Sequence, residues 1–130
     1  MIQNETKVNT ILNECESIIS CVENVIDYSD NDDFVTKALE SEEFVVIRFL
    51  AEDLQSYVVA YDDCENKSDT KEDIVNISIE LYQQVKYCLE ALEFQYNIDD
   101  EQILADFEYI RSSVDAVREL VNILWTKVLR

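Results

Sequence analysis

The first long apolar stripe of the chain lies in residues 8–26, whose sequence is VNTILNECESIISCVENVI. Its apolar residues recur at steps of three and four, whereas Glu14, Glu16 and Glu23 fall off the stripe. That spacing is typical of one face of an amphipathic α-helix, because about 3.6 residues complete a turn. The pattern predicts a helix over about 5–27 whose apolar face must be covered by other elements.

The same periodicity continues through the rest of the chain. One further stripe runs from Phe44 to Tyr61, and two others lie over about 71–96 and about 100–129. A shorter apolar pattern predicts a short helix over about 31–40. Each stripe needs a partner, so the helices are expected to share one core.

We expect a single helical domain over residues 1–130, with an all-α fold. The predicted architecture is an antiparallel helical bundle of four long helices plus one short helix, with stacked helical hairpins as the alternative. The β-branched run Val45-Val46-Ile47 is compatible with a strand. We predict a helix there instead, because its stripe continues at helical spacing and a lone strand would lack a partner.

Two pairs of polar residues mark predicted helix starts. Thr70 with Asp73 resembles a capping box and predicts a helix that begins at about residue 71. Asp99 with Gln102 forms a similar pair before the last helix. In both pairs a side-chain oxygen can accept hydrogen bonds from the free N–H groups of a first helical turn.

The composition excludes several kinds of functional site. The chain has no His, no Gly and no Pro among its 130 residues. Without Gly there is no Gly-rich loop to hold a phosphate, and without His there is no Ser-His-Asp triad or His-ligated zinc. We therefore expect no enzyme activity and no cofactor, and an enzyme that relies on carboxylates alone is the remaining catalytic alternative.

Neither metal-binding pattern in the chain is complete. The run Asp30-Asn31-Asp32-Asp33 resembles the start of an EF-hand loop, but the loop lacks its central Gly and has Ser41 where Glu is needed. The four cysteines show no CxxC spacing; they are Cys15, Cys21, Cys64 and Cys88. We interpret them as buried, reduced thiols and expect no metal site.

The first residues and the most apolar stretch of the chain give no targeting signal. Residues 1–5 lack the basic and apolar regions of a secretory signal. Residues 44–51 are interrupted by Arg48 and are far shorter than the ~20 residues that span a membrane. We therefore expect a cytoplasmic protein that does not engage a membrane.

The chain is strongly acidic, with 29 Asp and Glu against 10 Lys and Arg and a net charge of −19. This charge disfavours nucleic acid and anionic membranes as ligands, because they bind through phosphates that Lys and Arg neutralise. It favours a basic protein partner. A small domain needs a net charge of only about 2–8 for solubility, so solubility does not account for the whole surplus.

Topology predicts where the acids gather. In an up-down-up-down bundle the connections at residues 27–33 and 97–101 share one end, which we call the acidic pole, flanked by Glu42 and Glu43. Helix capping and solubility are the competing explanation for these acids. We predict that the partner contacts Asp27, Tyr28, Asp30, Asp32, Asp33, Glu42, Glu43, Asp99, Asp100 and Glu101.

The tyrosines fall into two groups. Tyr57, Tyr61 and Tyr96 lie on apolar stripes, and we expect them at the edge of the core. The others lie beside or off the stripes: Tyr28, Tyr82, Tyr87 and Tyr109. Tyrosine combines rigid contact area with a polar tip, so a surface of acids and tyrosines suits the recognition of Lys- and Arg-rich proteins. Partial burial on a helix flank is the alternative for each tyrosine of the second group.

Charge and fold together lead to two functional hypotheses. The first is a binding inhibitor that occludes a basic, nucleic-acid-acting partner, as an immunity protein does for a nuclease toxin, and whose association slows as salt rises. The alternative is a helical adaptor or chaperone-like module that binds a partner helix in an apolar groove. The adaptor predicts a contiguous exposed apolar patch and a weak effect of salt.

Overall fold

The computed structural model describes residues 2–28, 42–61, 65, 67–96, 98 and 100–125. This part of the chain is almost entirely helical, with four helices and no strand. The helices are α1 (Ile2–Tyr28), α2 (Glu42–Ala60), α3 (Lys67–Tyr96) and α4 (Glu101–Trp125). The all-α prediction is confirmed, and so are the four long helices. The short helix predicted over 31–40 lies outside the described residues.

The four helices form a ring in which α1 and α3 each pack against both α2 and α4. Neighbouring helices are antiparallel. Arg48, near the start of α2, forms an ion pair with Glu23 near the end of α1. Gln55, toward the end of α2, donates a hydrogen bond to the carbonyl oxygen of Leu12 in α1. The ends of α1 and α3 therefore lie at the same end of the bundle as the starts of α2 and α4.

The core lies along the centre of the ring and contains most of the predicted stripe residues. Phe44 and Phe107 are fully buried, with their ring centroids 6.0 Å apart. Cys21 is buried as well, although it lies off the predicted stripe of α1. Ser78 is also buried and donates its hydroxyl hydrogen to the carbonyl oxygen of Val75 at 2.8 Å, so its polar group is satisfied within α3.

The run Val45-Val46-Ile47 lies within α2, so the helical prediction for it is confirmed. Ile47 is fully buried, whereas the two valines are only half-buried on the flanks of the helix. Tertiary packing of the long apolar face therefore outweighs the local β-propensity of these residues.

The predicted start of α3 is wrong. The helix begins at Lys67, so Thr70 and Asp73 lie inside it rather than at its cap. The Nζ of Lys67 donates a hydrogen bond to the carbonyl oxygen of Tyr61 at 2.9 Å and lies 5.0 Å from the centre of the Tyr61 ring. These contacts with the end of α2 hold an extra helical turn that the capping pattern does not predict.

The N-cap of α4 is Asp100 rather than Asp99, which lies outside the described residues. The Oδ1 of Asp100 accepts hydrogen bonds from the backbone N–H groups of Gln102 at 2.9 Å and Ile103 at 3.2 Å. This is the geometry by which an N-cap carboxylate satisfies the first turn of a helix. Two adjacent aspartates offer the same chemistry, and spacing alone does not separate them.

Candidate protein-binding surface

The fold brings part of the predicted acidic pole together. Asp27 ends α1, Glu43 begins α2, and Asp100 and Glu101 begin α4, all at the same end of the bundle and all exposed. Tyr28 and Glu42 belong to helices at this end, but their side chains are not among those described. The remaining predicted contact residues lie outside the described residues; they are Asp30, Asp32, Asp33 and Asp99.

Helix electrostatics account for three acids of the pole. Glu43 and Glu101 lie in the first turns of α2 and α4, where the positive end of the helix dipole favours a carboxylate. Asp100 accepts the two backbone hydrogen bonds of the N-cap. These acids stabilise their own helices, so their presence alone does not require a partner.

Asp27 has no such local role. It lies in the last turn of α1, where the dipole favours a cation, and that turn contains no basic residue. The last turn of α3 likewise contains no basic residue, although its Glu93 forms an ion pair with Arg111 at 3.0 Å. The pole therefore has exposed carboxylates both at helix N-termini, where the dipole is positive, and at a helix C-terminus, where the dipole is negative.

Four ion pairs of the described surface converge on two arginines. Arg48 contacts Glu23 and Glu52, on the seam between α1 and α2. Arg111 contacts Glu93 and Glu108, on the seam between α3 and α4. Such partly exposed pairs contribute about 0–1 kcal/mol each to the free energy of unfolding, so they stabilise these helix–helix contacts only weakly. Each arginine neutralises one charge while facing two carboxylates, so an acidic surplus remains.

Sequence reasoning missed the most exposed apolar side chain of the described surface, Phe94, which is 92% exposed. It lies near the end of α3, close to the pole, on the same helix as Tyr87, which is 66% exposed. Both residues fall off the apolar stripe of α3, and that offset was the available signal.

The tyrosine predictions have mixed outcomes. Tyr61 is at the edge of the core as expected, packed edge-on against Trp125 with ring centroids 5.5 Å apart. Tyr57 is 39% exposed, so its placement at the core edge is wrong; Leu54 and Val58 on the same helix already fill the core at that level. Tyr82 is half-buried beneath the guanidinium of Arg118. Tyr87 and Tyr109 are exposed, and the side chain of Tyr96 is not described.

Three of the cysteines are buried free thiols, as the sequence predicts. Burial raises the pKa of Cys15 and of Cys88 to about 12 and that of Cys21 to about 11, with smaller contributions from nearby carboxylates. A thiol that stays protonated is a poor nucleophile and a poor metal ligand. Within the described part of the chain, no group of Cys, Asp and Glu side chains could hold a metal ion. Cys64 lies outside that part.

A half-buried carboxylate lies between α1 and α4. Burial raises the pKa of Asp106 above its usual range, and one of its oxygens, Oδ2, is buried without a hydrogen-bond partner. The neighbouring charge of Asp106 in turn contributes to the raised pKa of Cys21. The charged form of Asp106 therefore destabilises the fold at neutral pH. A residue with a purely structural role would be neutral at this position.

By fold and surface, the chain is a strongly acidic four-helix bundle. No protein-family model matches it, and comparisons with curated proteins and with solved structures gave no significant match. None of the four described helices has an apolar stretch of the length that a bilayer crossing requires. The case for a function therefore rests on the surface itself.

Proposed function

We propose that this protein is a binding inhibitor that occludes a basic, nucleic-acid-acting protein, in the way an immunity protein neutralises a nuclease toxin. One observation carries the proposal. Exposed carboxylates from α1, α2 and α4 meet at the acidic pole, and the helical turns described there contain no Lys or Arg. Helix capping explains Asp100 but does not explain Asp27, which lies at the unfavourable end of its helix.

The physical basis of inhibition is competition for a cationic surface. A protein that acts on nucleic acid needs Lys and Arg to neutralise phosphates, and a carboxylate-rich face can occupy the same side chains. The net charge of −19 steers such a partner toward the bundle before contact is made. Desolvated carboxylate–guanidinium pairs then slow dissociation. The role is binding, so no reaction and no cofactor are required.

The test begins with capture of the partner from the native host on the immobilised bundle, followed by identification of the captured protein. Association rates are then measured at low and high salt for the wild type and for a variant that carries Asp27→Asn, Glu43→Gln and Glu101→Gln. We expect association of the variant to be about tenfold slower at low salt, with the difference shrinking as salt rises. We also expect the wild type to abolish the partner's action on nucleic acid.

A matched control removes the same number and kind of charges toward the opposite end of the bundle. The control variant carries Glu72→Gln, Asp73→Asn and Glu119→Gln, all at exposed positions of α3 and α4. We expect its association rate to stay within about twofold of the wild type. Equal losses in the two variants, an acidic partner, or a partner whose activity is unchanged when bound would refute the proposal.

The helical adaptor is a second candidate, and one observation favours it. Phe94 and Tyr87 place two exposed aromatic rings on one helix, which is the apolar surface that an adaptor requires. An adaptor would bind its partner with little dependence on salt and would leave the partner's activity intact. The same kinetic measurements therefore separate the two candidates.

A further inference from the structure

Two exposed aromatic side chains of α3 lie on one face of the helix. Tyr87 and Phe94 are seven residues apart, which is close to two helical turns and about 10 Å along the axis. They are 66% and 92% exposed. A single exposed aromatic residue is ordinary, but two aligned rings on one helical face form a patch of the kind that marks an interaction site.

Phe94 lies about two turns of α3 beyond Tyr87, outside the lining of the adjacent groove. That groove runs between α2 and α3 beside Tyr87. It has a volume of about 350 Å³ and is lined on its apolar side by Val46, Leu50 and Tyr87. At the end nearest the acidic pole, the Nε2 of Gln84 donates a hydrogen bond to the carbonyl oxygen of Glu43 at 2.6 Å. This bond ties the middle of α3 to the first turn of α2 at one end of the groove.

The charges around this groove have one sign. Glu80 lines it, and none of the described residues that line it is basic. Glu43, whose carbonyl oxygen accepts the hydrogen bond from Gln84, is exposed at one end of the groove. Lys86 and Glu90 of α3 instead line the cleft between α3 and α4. An apolar surface rimmed by carboxylates is complementary to an apolar stripe flanked by Lys and Arg.

We infer that the groove between α2 and α3 docks a cationic amphipathic helix of the protein partner. The inference rests on the proposed function, since it identifies which part of the basic partner is held. Apolar side chains of that helix cover the rings of Tyr87 and Phe94, while its Lys and Arg side chains pair with Glu80 and Glu43. The acidic pole supplies attraction, and the aromatic groove supplies the buried contacts that hold the complex together.

Charge also argues against the two other occupants. A second copy of this chain would bring another net charge of −19 to an acidic rim. The chain's own residues 29–41 contain apolar side chains, but they also carry four carboxylates against one lysine. Either occupant would place like charges side by side, whereas a cationic helix neutralises the rim.

The test uses a synthetic peptide of Leu and Lys, with Leu at helical spacing on one face, as the probe. Two control peptides accompany it: one of the same composition in scrambled order, and one with Glu in place of Lys. Dissociation constants are measured by fluorescence anisotropy with the full-length bundle. We expect the striped cationic peptide to bind at least about tenfold more tightly than the scrambled one and to shift the amide resonances around Tyr87 and Phe94.

The protein variants isolate the rings. A variant with Tyr87→Ala and Phe94→Ala removes exposed side chains and should keep its helical circular dichroism and its midpoint of unfolding. We expect it to bind the striped peptide at least about tenfold more weakly. Tyr109→Ala removes a half-exposed ring on α4, at the groove with α1, and should change binding by less than about twofold.

The possible failures are distinct. The striped and scrambled cationic peptides could bind equally, and the ring variant could bind as the wild type does. The protein would then attract basic chains through its charge alone, and the groove inference would be wrong. Self-association that the ring variant abolishes, or nuclear Overhauser contacts of Phe34 or Leu39 with Phe94, would assign the groove to a second copy or to the chain itself and would equally overturn it. Failure of the proposed function is separate, since it is measured on the captured partner with the pole variants.

Discussion

The two ends of the bundle differ in charge, although each end consists of two helix N-termini and two helix C-termini. At the acidic pole, Asp27, Glu43 and Glu101 are exposed and the adjoining helical turns hold no cation. At the opposite end, Lys67 donates a hydrogen bond to the carbonyl oxygen of Tyr61 and covers its ring. Tyr61 packs in turn against Trp125. The terminal turns at the pole hold acids without a cation, whereas the opposite end combines exposed acids with Lys67 and Lys71.

The comparison separates what the fold requires from what the sequence adds. In an up-down-up-down bundle each end has two helix N-termini and two C-termini, so the helix dipoles contribute alike to both ends. The more negative net charge of the described turns at the pole therefore comes from side chains and not from architecture. A residue such as Asp27, which opposes the dipole of its own helix, is the clearest sign that stability does not set the charge there.

The largest expected effect concerns the core, where the two ends should be alike. Phe107→Ala near the pole and Trp125→Ala at the opposite end should each lower the free energy of unfolding by about 3–5 kcal/mol, because both remove a large buried side chain. Urea denaturation measures the change, and Tyr109→Ala, which removes a half-exposed ring, should stay within about 0.5 kcal/mol. A loss of unfolding free energy in only one of these two variants would show that the core does not stabilise both ends alike.

The next effect is local to the pole. Asp100→Ala removes the two hydrogen bonds of the α4 N-cap and should cost about 1 kcal/mol of unfolding free energy. Asp100→Asn keeps the accepting oxygen and should retain most of that stability. If both variants lose the same amount, the charge of Asp100 rather than its cap would be responsible.

Smaller effects of opposite sign should come from two carboxylates of the same pole. Asp27→Asn should raise the unfolding free energy by about 0.3–1 kcal/mol at low salt, and Glu101→Gln should lower it by a similar amount. The signs differ because Asp27 lies at the negative end of α1 and Glu101 at the positive end of α4. Thermal unfolding at low and at high salt tests this, since both differences should shrink with screening. Stabilisation by both variants would mean that net repulsion outweighs the dipoles.

Asp106, between α1 and α4, should make the free energy of unfolding depend on pH. Because burial raises its pKa in the folded protein, the folded state binds the proton more tightly than the unfolded chain, and stability falls as pH rises above the ordinary value of 3.8. Asp106→Asn should therefore stabilise the protein at neutral pH, and the gain should disappear as pH falls below 3.8. Asp115→Asn, at an exposed position of the same helix, is the control for a change in net charge. A gain that is independent of pH would contradict the assignment.

Most of the fold was predictable from periodicity, because a helix with one apolar face has apolar residues at steps of three and four in its sequence. The stripes identified Phe44, Phe107 and most of their buried neighbours. Spacing did not locate the start of α3, since the contacts of Lys67 with Tyr61 depend on how two helices meet. A tertiary contact of this kind has no local pattern.

The candidate site was less predictable than the fold. Topology alone placed Asp27, Glu43 and Glu101 at one end, because consecutive helices of an up-down-up-down bundle alternate in direction. The groove between α2 and α3 could not be predicted, since its walls come from two helices whose relative rotation the sequence does not specify. Phe94 was visible as a residue off the stripe, but its 92% exposure beside an acidic rim becomes meaningful only in the packed structure.

The most direct test of the account is a map of surface potential measured without any partner. Nitroxide probes of opposite charge are added in turn, and the relaxation enhancement of each backbone amide is recorded by NMR. The account predicts the highest ratio of cationic to anionic enhancement around Asp27, Glu43 and Glu101, and a clearly lower ratio around Lys67 and Lys71. Equal ratios at the two ends would contradict it, because the carboxylates would then form no distinct face for a basic protein to occupy.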